Sequence, residues 1–171
     1  MKRLFLIAAM VAMIGTVGTV FATNAGLNTT NKSGSVEITY STEDRYTIVI
    51  PDAFELGEPG TPVEKTVSAS NVFIPNNTKL QVVLTGTNCA TTGEWFIKDE
   101  NDATNKFEYK VSKGEMNDEN LIKNGATILE VESGTTAGGS VNLNFDLKQT
   151  VVKAGTYKDT LTFTSSIVEK N

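Results

Sequence analysis

The side chains able to do chemistry in this sequence exclude more than they allow. Among its 171 residues there is no histidine. Without imidazole there is no Ser-His-Asp or Cys-His arrangement, no general base suited to neutral pH, and little of the usual zinc, copper or haem ligation. The one cysteine, Cys89, lies in the polar run "TGTNCATTGEW" and has no imidazole to activate it. It reads as a tolerated thiol, with pairing to another molecule as the alternative. Asp and Glu are plentiful enough for the carboxylate pair of a glycosidase, yet spacing along one chain pairs none of them. The stretch "KDENDATN" (98–105) gathers Asp99, Glu100, Asn101 and Asp102. A calcium loop needs acidic or amide side chains at alternate positions followed by glycine. Ala103 breaks that pattern and no glycine follows, so the stretch reads as a solvated acidic turn. "SGTTAGGS" (133–140) is glycine-rich but has no lysine for a phosphate loop. These residues predict a protein that is not an enzyme, with no catalytic residue, no cofactor and no metal site.

Two aromatic residues are the expected ligand contacts. Phe96 lies between Glu94 and Lys98 on the polar side of its stretch, and Phe73 is opposite in parity to Val72 and Ile74. A ring exposed on a sheet can stack on a sugar or fill a partner's pocket. Trp95 shares a face with Ile97 and is expected in the core. Lys65 shares the inward parity of Val67 and Ala69, which allows either a buried amide crosslink or, more ordinarily, a stem that snorkels to water.

The elements that must carry these residues are strands. Tyr46, Ile48 and Ile50 alternate with polar neighbours, as do Val63, Val67 and Ala69, then Leu80, Val82 and Leu84. The same period of two recurs at Phe107, Tyr109 and Val111, at Val141, Leu143, Phe145 and Leu147, and at Leu161, Phe163, Ser165 and Ile167. Parity switches at Asn71, which predicts a bulge or a corner between sheets. "GEPGTP" (57–62) is the strongest break. Residues 117–123 have room for one helical turn at most. About nine short strands, each with one wet face, predict an all-β fold. The expected form is a single antiparallel β-sandwich, an immunoglobulin-like or pilin-like Greek key.

The N-terminus shows the three-part pattern of an export signal: Lys2-Arg3, the apolar run Leu4–Ile14, and small residues before a cleavage site at Ala22. The expected division is a signal peptide over 1–22, a flexible polar leader over 23–35, the sandwich over 36–168 and a tail over 169–171. The whole chain carries a formal charge of −5, and losing Lys2 and Arg3 makes it more acidic. That balance predicts no nucleic-acid partner and no membrane association after cleavage, since phosphates attract basic faces. A secreted chain with a lone cysteine has no internal disulfide and must be held by packing.

Two passages, "SVEITYSTEDRYTIVIPDAFELG" and "KTVSASNVFIPNNTKLQVVLTG", resemble small secreted β-sandwich surface or adhesin-like proteins of Gram-positive bacteria. The closing "AGTYKDTLTFTSSI" is similar to the last strand of spore-coat-U-like and fimbrial-subunit sandwiches, with Gly155, Tyr157, Asp159, Leu161 and Phe163 in the usual places. Coat-U-like proteins carry paired cysteines where this chain has one. Cell-wall proteins with a Trp-x-Leu motif differ at Trp95-Phe96-Ile97. The resemblance implies a secreted or cell-surface module of binding or structural type, released or held non-covalently. The alternatives are a polymerising pilus or coat subunit, in which a segment such as Val36–Tyr40 is exchanged between neighbours, and a carbohydrate-binding module. The partners to expect are a cell-wall polymer, a glycan or another protein.

Overall fold

The computed structural model of the chain describes residues 11–12, 40 and 42–170. The cleavage position at Ala22, the polar leader, and the expected strand at 36–40 (Tyr40 apart) lie outside the described residues. Among those described, the strands are β1 (Val11–Ala12), β2 (Arg45–Val49), β3 (Val63–Phe73), β4 (Thr78–Gly86), β5 (Trp95–Asp99), β6 (Lys106–Lys113), β7 (Ala126–Glu132), β8 (Gly139–Leu147), β9 (Tyr157–Lys158) and β10 (Leu161–Glu169). There is no helix among them, and 117–120 forms a turn closed by Asn120 N–H on the Asn117 carbonyl at 3.2 Å.

Two sheets result. The larger runs β1-β2-β3-β8-β6-β5-β9 and the smaller β10-β4-β7, with antiparallel pairing throughout. The protein is an all-β sandwich. Alternation sends one face of each strand inward: Leu80, Val82 and Leu84 from the small sheet meet Val67, Phe107, Tyr109, Val111, Leu143, Phe145 and Leu147 from the large one, all buried. Each such aliphatic or aromatic side chain contributes roughly 1.5–3 kcal/mol on removal from water. With one thiol in the chain, this packing carries the stability. Trp95 is core as expected, 2% exposed, and its indole N–H donates to the Ile122 carbonyl at 3.0 Å.

The parity switch at Asn71 is a bulge within one continuous strand. Asn71 has a φ of 53°, and the β2–β3 register shifts opposite it, between Arg45 and Thr47. The inward set moves from Val67 and Ala69 to Val72. An extra residue in the ladder does this without breaking the sheet. The corner between sheets falls elsewhere, between Lys158 of β9 and Leu161 of β10, inside a stretch whose sequence reads as a single closing strand.

Phe145 is fully buried, lies opposite Val63 and Val111 in the two flanking ladders, and has its ring 4.9 Å from that of Phe54. Phe145→Ala is expected to lower unfolding free energy by about 3–5 kcal/mol, read as a shift in the urea midpoint with little change in slope.

Candidate interaction site at a sheet edge

A sandwich has four sheet edges, and each exposes backbone donors and acceptors unless something blunts it. Three are dealt with here. The β5 edge is met by β9 at Lys98 and Asp99, and further along by Phe96 N–H on the Asn88 carbonyl at 2.9 Å. β7 is short and charged. Its Glu130 takes Lys79 at 2.8 Å and the Gln81 amide at 2.6 Å, and Glu132 takes Lys170 at 2.8 Å. Those hydrogen bonds hold both carboxyls below the ordinary glutamate value. β2 has its outer side touched by β1, with Val11 opposite Ile48 and Ala12 opposite Thr47.

β10 is different. Its nine residues pair with β4 along their whole length, and among the described residues no strand pairs with its other side. From Leu161 to Val168 it carries no charge. Its inward side chains Leu161, Phe163, Ser165 and Ile167 are half-buried, whereas their neighbours on β4, Leu80 and Leu84, are completely covered. Leu161 and Phe163 touch the core and still face water on one side.

The β2 and β10 edges share one flank of the molecule. The hydroxyls of Tyr46 and Ser165 meet across the gap at 3.2 Å, joining the two sheets at their borders. Among the described residues the flank thus combines unpaired backbone groups on β10, half-covered apolar side chains and no charge from Leu161 to Val168. Those are the requirements for accepting an extended segment as an added strand.

The corner that launches β10 is tied down firmly. Asp159 accepts the Tyr109 hydroxyl at 2.7 Å, the Asn88 N–H at 2.9 Å and its neighbour Thr160 N–H at 2.8 Å. The Asn88 amide donates to the Lys158 carbonyl at 2.9 Å, and Thr87 N–H to the Thr160 carbonyl at 3.0 Å. Gly86 makes the close approach possible, since a Cβ there would lie 2.7 Å from the Asp159 carboxylate. Burial, followed by the Asp159 hydrogen bond and charge, drives the Tyr109 phenol far above its usual value. Burial and Asp159 also push the Cys89 thiol up, away from the reactive thiolate.

The residues singled out from sequence are dispersed. Phe73 is 40% exposed at the end of β3, with the Arg45 guanidinium 3.9 Å above its ring. Phe96 is half-buried on β5 under Lys106 at 4.2 Å. Each ring is capped by a cation, and the two lie on different strands of the large sheet. The Lys65 ammonium sits 5.0 Å from the Phe54 ring, on a half-buried side chain. In the acidic turn, Asp99 accepts Asn101 N–H at 2.8 Å and Asp102 accepts Thr104 N–H at 3.0 Å, so these carboxylates organise their own loop. Among the described residues no group of three His, Cys, Asp or Glu side chains is placed to hold a metal ion. Sequence reasoning missed Asp159 as a joint, although the resemblance of "AGTYKDTLTF" had set it in place.

No protein-family profile and no curated protein matches the chain. Among solved structures it is similar to a chain from a chaperone–tip adhesin complex of CFA/I fimbriae biogenesis, with a TM-score of 0.50 and 18% identity. The match covers 77% of this chain and 50% of the other, so the protein spans half the length of that neighbour and shares its fold.

Asp159→Ala strands the Tyr109 hydroxyl and the Asn88 N–H, and should cost about 1–3 kcal/mol of stability in urea unfolding. The raised phenol of Tyr109 supplies stability that is complete below the unfolded tyrosine value of about 10 and is lost as pH climbs past it, because the unfolded chain ionises first. In an alkaline titration followed by phenolate absorbance, Tyr109 should ionise together with unfolding, and Tyr109→Phe should delete that step.

Proposed function

We propose that the protein is a secreted, non-enzymatic β-sandwich module of the bacterial cell surface, adhesin-like in character, which engages a protein partner through the flank formed by β2 and β10. The observation that carries this reading is the β10 edge: nine residues long, uncharged from Leu161 to Val168, unpaired on one side among the described residues and half-covered within. Natural sheets ordinarily blunt such an edge with charge, proline or brevity, because it recruits other strands. The export pattern at the N-terminus and the lack of histidine agree with a surface role that needs no catalysis. The fold shared with a protein of fimbrial biogenesis supports the same direction.

The same edge favours a second reading, a subunit that polymerises by exchanging strands, with Val36–Tyr40 of one copy as the donor to the next. A glycan-binding module would instead rely on Phe73 and Phe96 with their capping cations removed or displaced.

Sedimentation of the exported chain separates these readings. A partner-binding module stays monomeric alone, whereas a polymerising subunit forms a ladder of masses. Ser165→Lys points a charge into the flank and should abolish partner capture or laddering while leaving the melting temperature within a few degrees. On a glycan array, binding lost by Phe73→Ala or Phe96→Ala but kept by Ser165→Lys would overturn the edge reading in favour of the sheet face.

A further inference from the structure

We infer that the β10 edge is self-complementary, and that two copies of the protein close it by pairing β10 with β10 about a twofold axis through Ser165. This rests on the edge being the interaction site, and it names a second copy of the chain as the occupant when no other partner holds it. Backbone direction comes first. Thr87 N–H donates to the Thr160 carbonyl at 3.0 Å, and Lys170 N–H to the Asn77 carbonyl at 2.9 Å. Thr160 and Lys170 flank β10, and the ladder between them runs without a register shift, from Leu161 opposite Gly86 to Glu169 opposite Thr78. Backbone groups alternate in direction along such a ladder. Every second residue therefore turns to β4, and Leu161, Phe163, Ser165, Ile167 and Glu169 present N–H and C=O to the other side, open among the described residues. The first four of these also carry the half-buried inner side chains.

One register suits both copies. Centred on Ser165, the antiparallel pair sets Phe163 beside Ile167 of the second copy, Thr164 beside Ser166 and Thr162 beside Val168. Apolar side chains then meet on the inner face and hydroxyls on the outer one, the cross-strand contacts that stabilise a sheet. The two Ser165 hydroxyls meet at the axis. Each has the Tyr46 hydroxyl of its own copy 3.2 Å away, so the polar centre of the row keeps a partner. The one charge in the strand, Glu169, falls at the two far ends beside Leu161, and no like charges are brought together. A shift of two residues in one direction puts Phe163 beside Ser165, and in the other beside Glu169. The centred pairing joins two three-stranded sheets into one of six. A twofold contact uses up both edges, so the assembly stops at two. Stable interfaces engage about 20–30 residues a side, and β10 offers nine. The dimer is therefore reversible: dilute protein is monomeric with its edge open, and concentrated protein masks the edge until a partner strand displaces the second copy.

Sedimentation equilibrium of the exported chain over about 1 µM to 1 mM should show the average mass rise from one chain to two and go no higher. No rise, a rise beyond two, or a dimer that Ser165→Lys leaves intact overturns the inference. Crosslinking reads the register. Cys89→Ser with Ser165→Cys places one thiol at the axis, where opposed residues of a hydrogen-bonded pair lie about 5.5 Å apart at Cα, within disulfide reach. Mild oxidation should give a covalent dimer on a non-reducing gel. Cys89→Ser with Thr162→Cys, a more exposed position that meets Val168 rather than its own mate, should give little. Equal crosslinking of the two overturns the register. Charge on the outer face guards against a folding defect, because Thr164 and Ser166 are both exposed. Thr164→Lys with Ser166→Lys should weaken dimerisation by about tenfold or more, and mixing it with Thr164→Glu plus Ser166→Glu should restore a dimer of one chain of each kind. No mixed dimer overturns the inference. The two readings fail separately. If the exported chain stays monomeric throughout but takes up a synthetic Val36–Tyr40 peptide that Ser165→Lys expels, the edge is an interaction site and its self-pairing is wrong. If it does neither, the edge reading falls as well.

Discussion

The carboxylate of Asp159 accepts hydrogen bonds from a buried tyrosine, from the loop after β4 and from its own neighbour, at the point where the chain leaves the large sheet for the small one. Everything distinctive about the molecule follows from that joint. Tyr157 and Lys158 cap the β5 edge on one side of it, and Leu161 begins a nine-residue ladder with β4 on the other. A turn of two residues cannot by itself choose between continuing in one sheet and crossing to the next. The Tyr109 hydroxyl, reaching out from the core of the large sheet, and the Asn88 backbone, following directly from the small one, make that choice by meeting on a single side chain. Charge-assisted hydrogen bonds of this kind are among the stronger polar contacts in proteins, and Gly86 gives this one the room it needs.

The consequence is an asymmetric sandwich. Once β10 is committed to β4, it becomes a border of the small sheet, and β2, met on its outer side by β1 only at Thr47 and Ile48, lies at the end of the large sheet on the same flank. The other borders are covered or charged: β9 and the Asn88 loop close one, and Glu130 and Glu132 with their lysine partners face the other. Polar groups that would spoil strand addition are concentrated where no strand is to be added. Thr162, Thr164 and Ser166 keep the outer face of β10 wet without charging it, while Leu161, Phe163 and Ile167 hold its inner face to the core without sealing it. An edge with those properties invites an occupant, whether from another molecule or from elsewhere in the same chain.

Strand content was plain in the residues because a period of two survives any register. Leu80-Val82-Leu84 or Leu143-Phe145-Leu147 must turn one face inward wherever the strand is placed, and the missing imidazole removes whole classes of catalysis without reference to geometry. Trp95 could be assigned to the core on parity alone. Asn71 was visible as a disruption, but whether it bent a strand or ended one depended on its φ of 53° and on the partner ladder. The candidate ligand residues were read less fully: Phe73 and Phe96 do carry exposed surface, while the cations above their rings, Arg45 and Lys106, come from other strands and leave no local trace.

The sequence by itself determined the pleated, two-faced strands and the absence of histidine chemistry, because both are written in residue type and short-range order. Which strands became borders, and that two borders share one flank, was decided only by the tertiary structure. The reason is physical: a free edge is a property of what fails to pair across the whole fold, and the hydrogen bonds that settle it join Tyr109, Asn88 and Asp159, residues far apart in the chain.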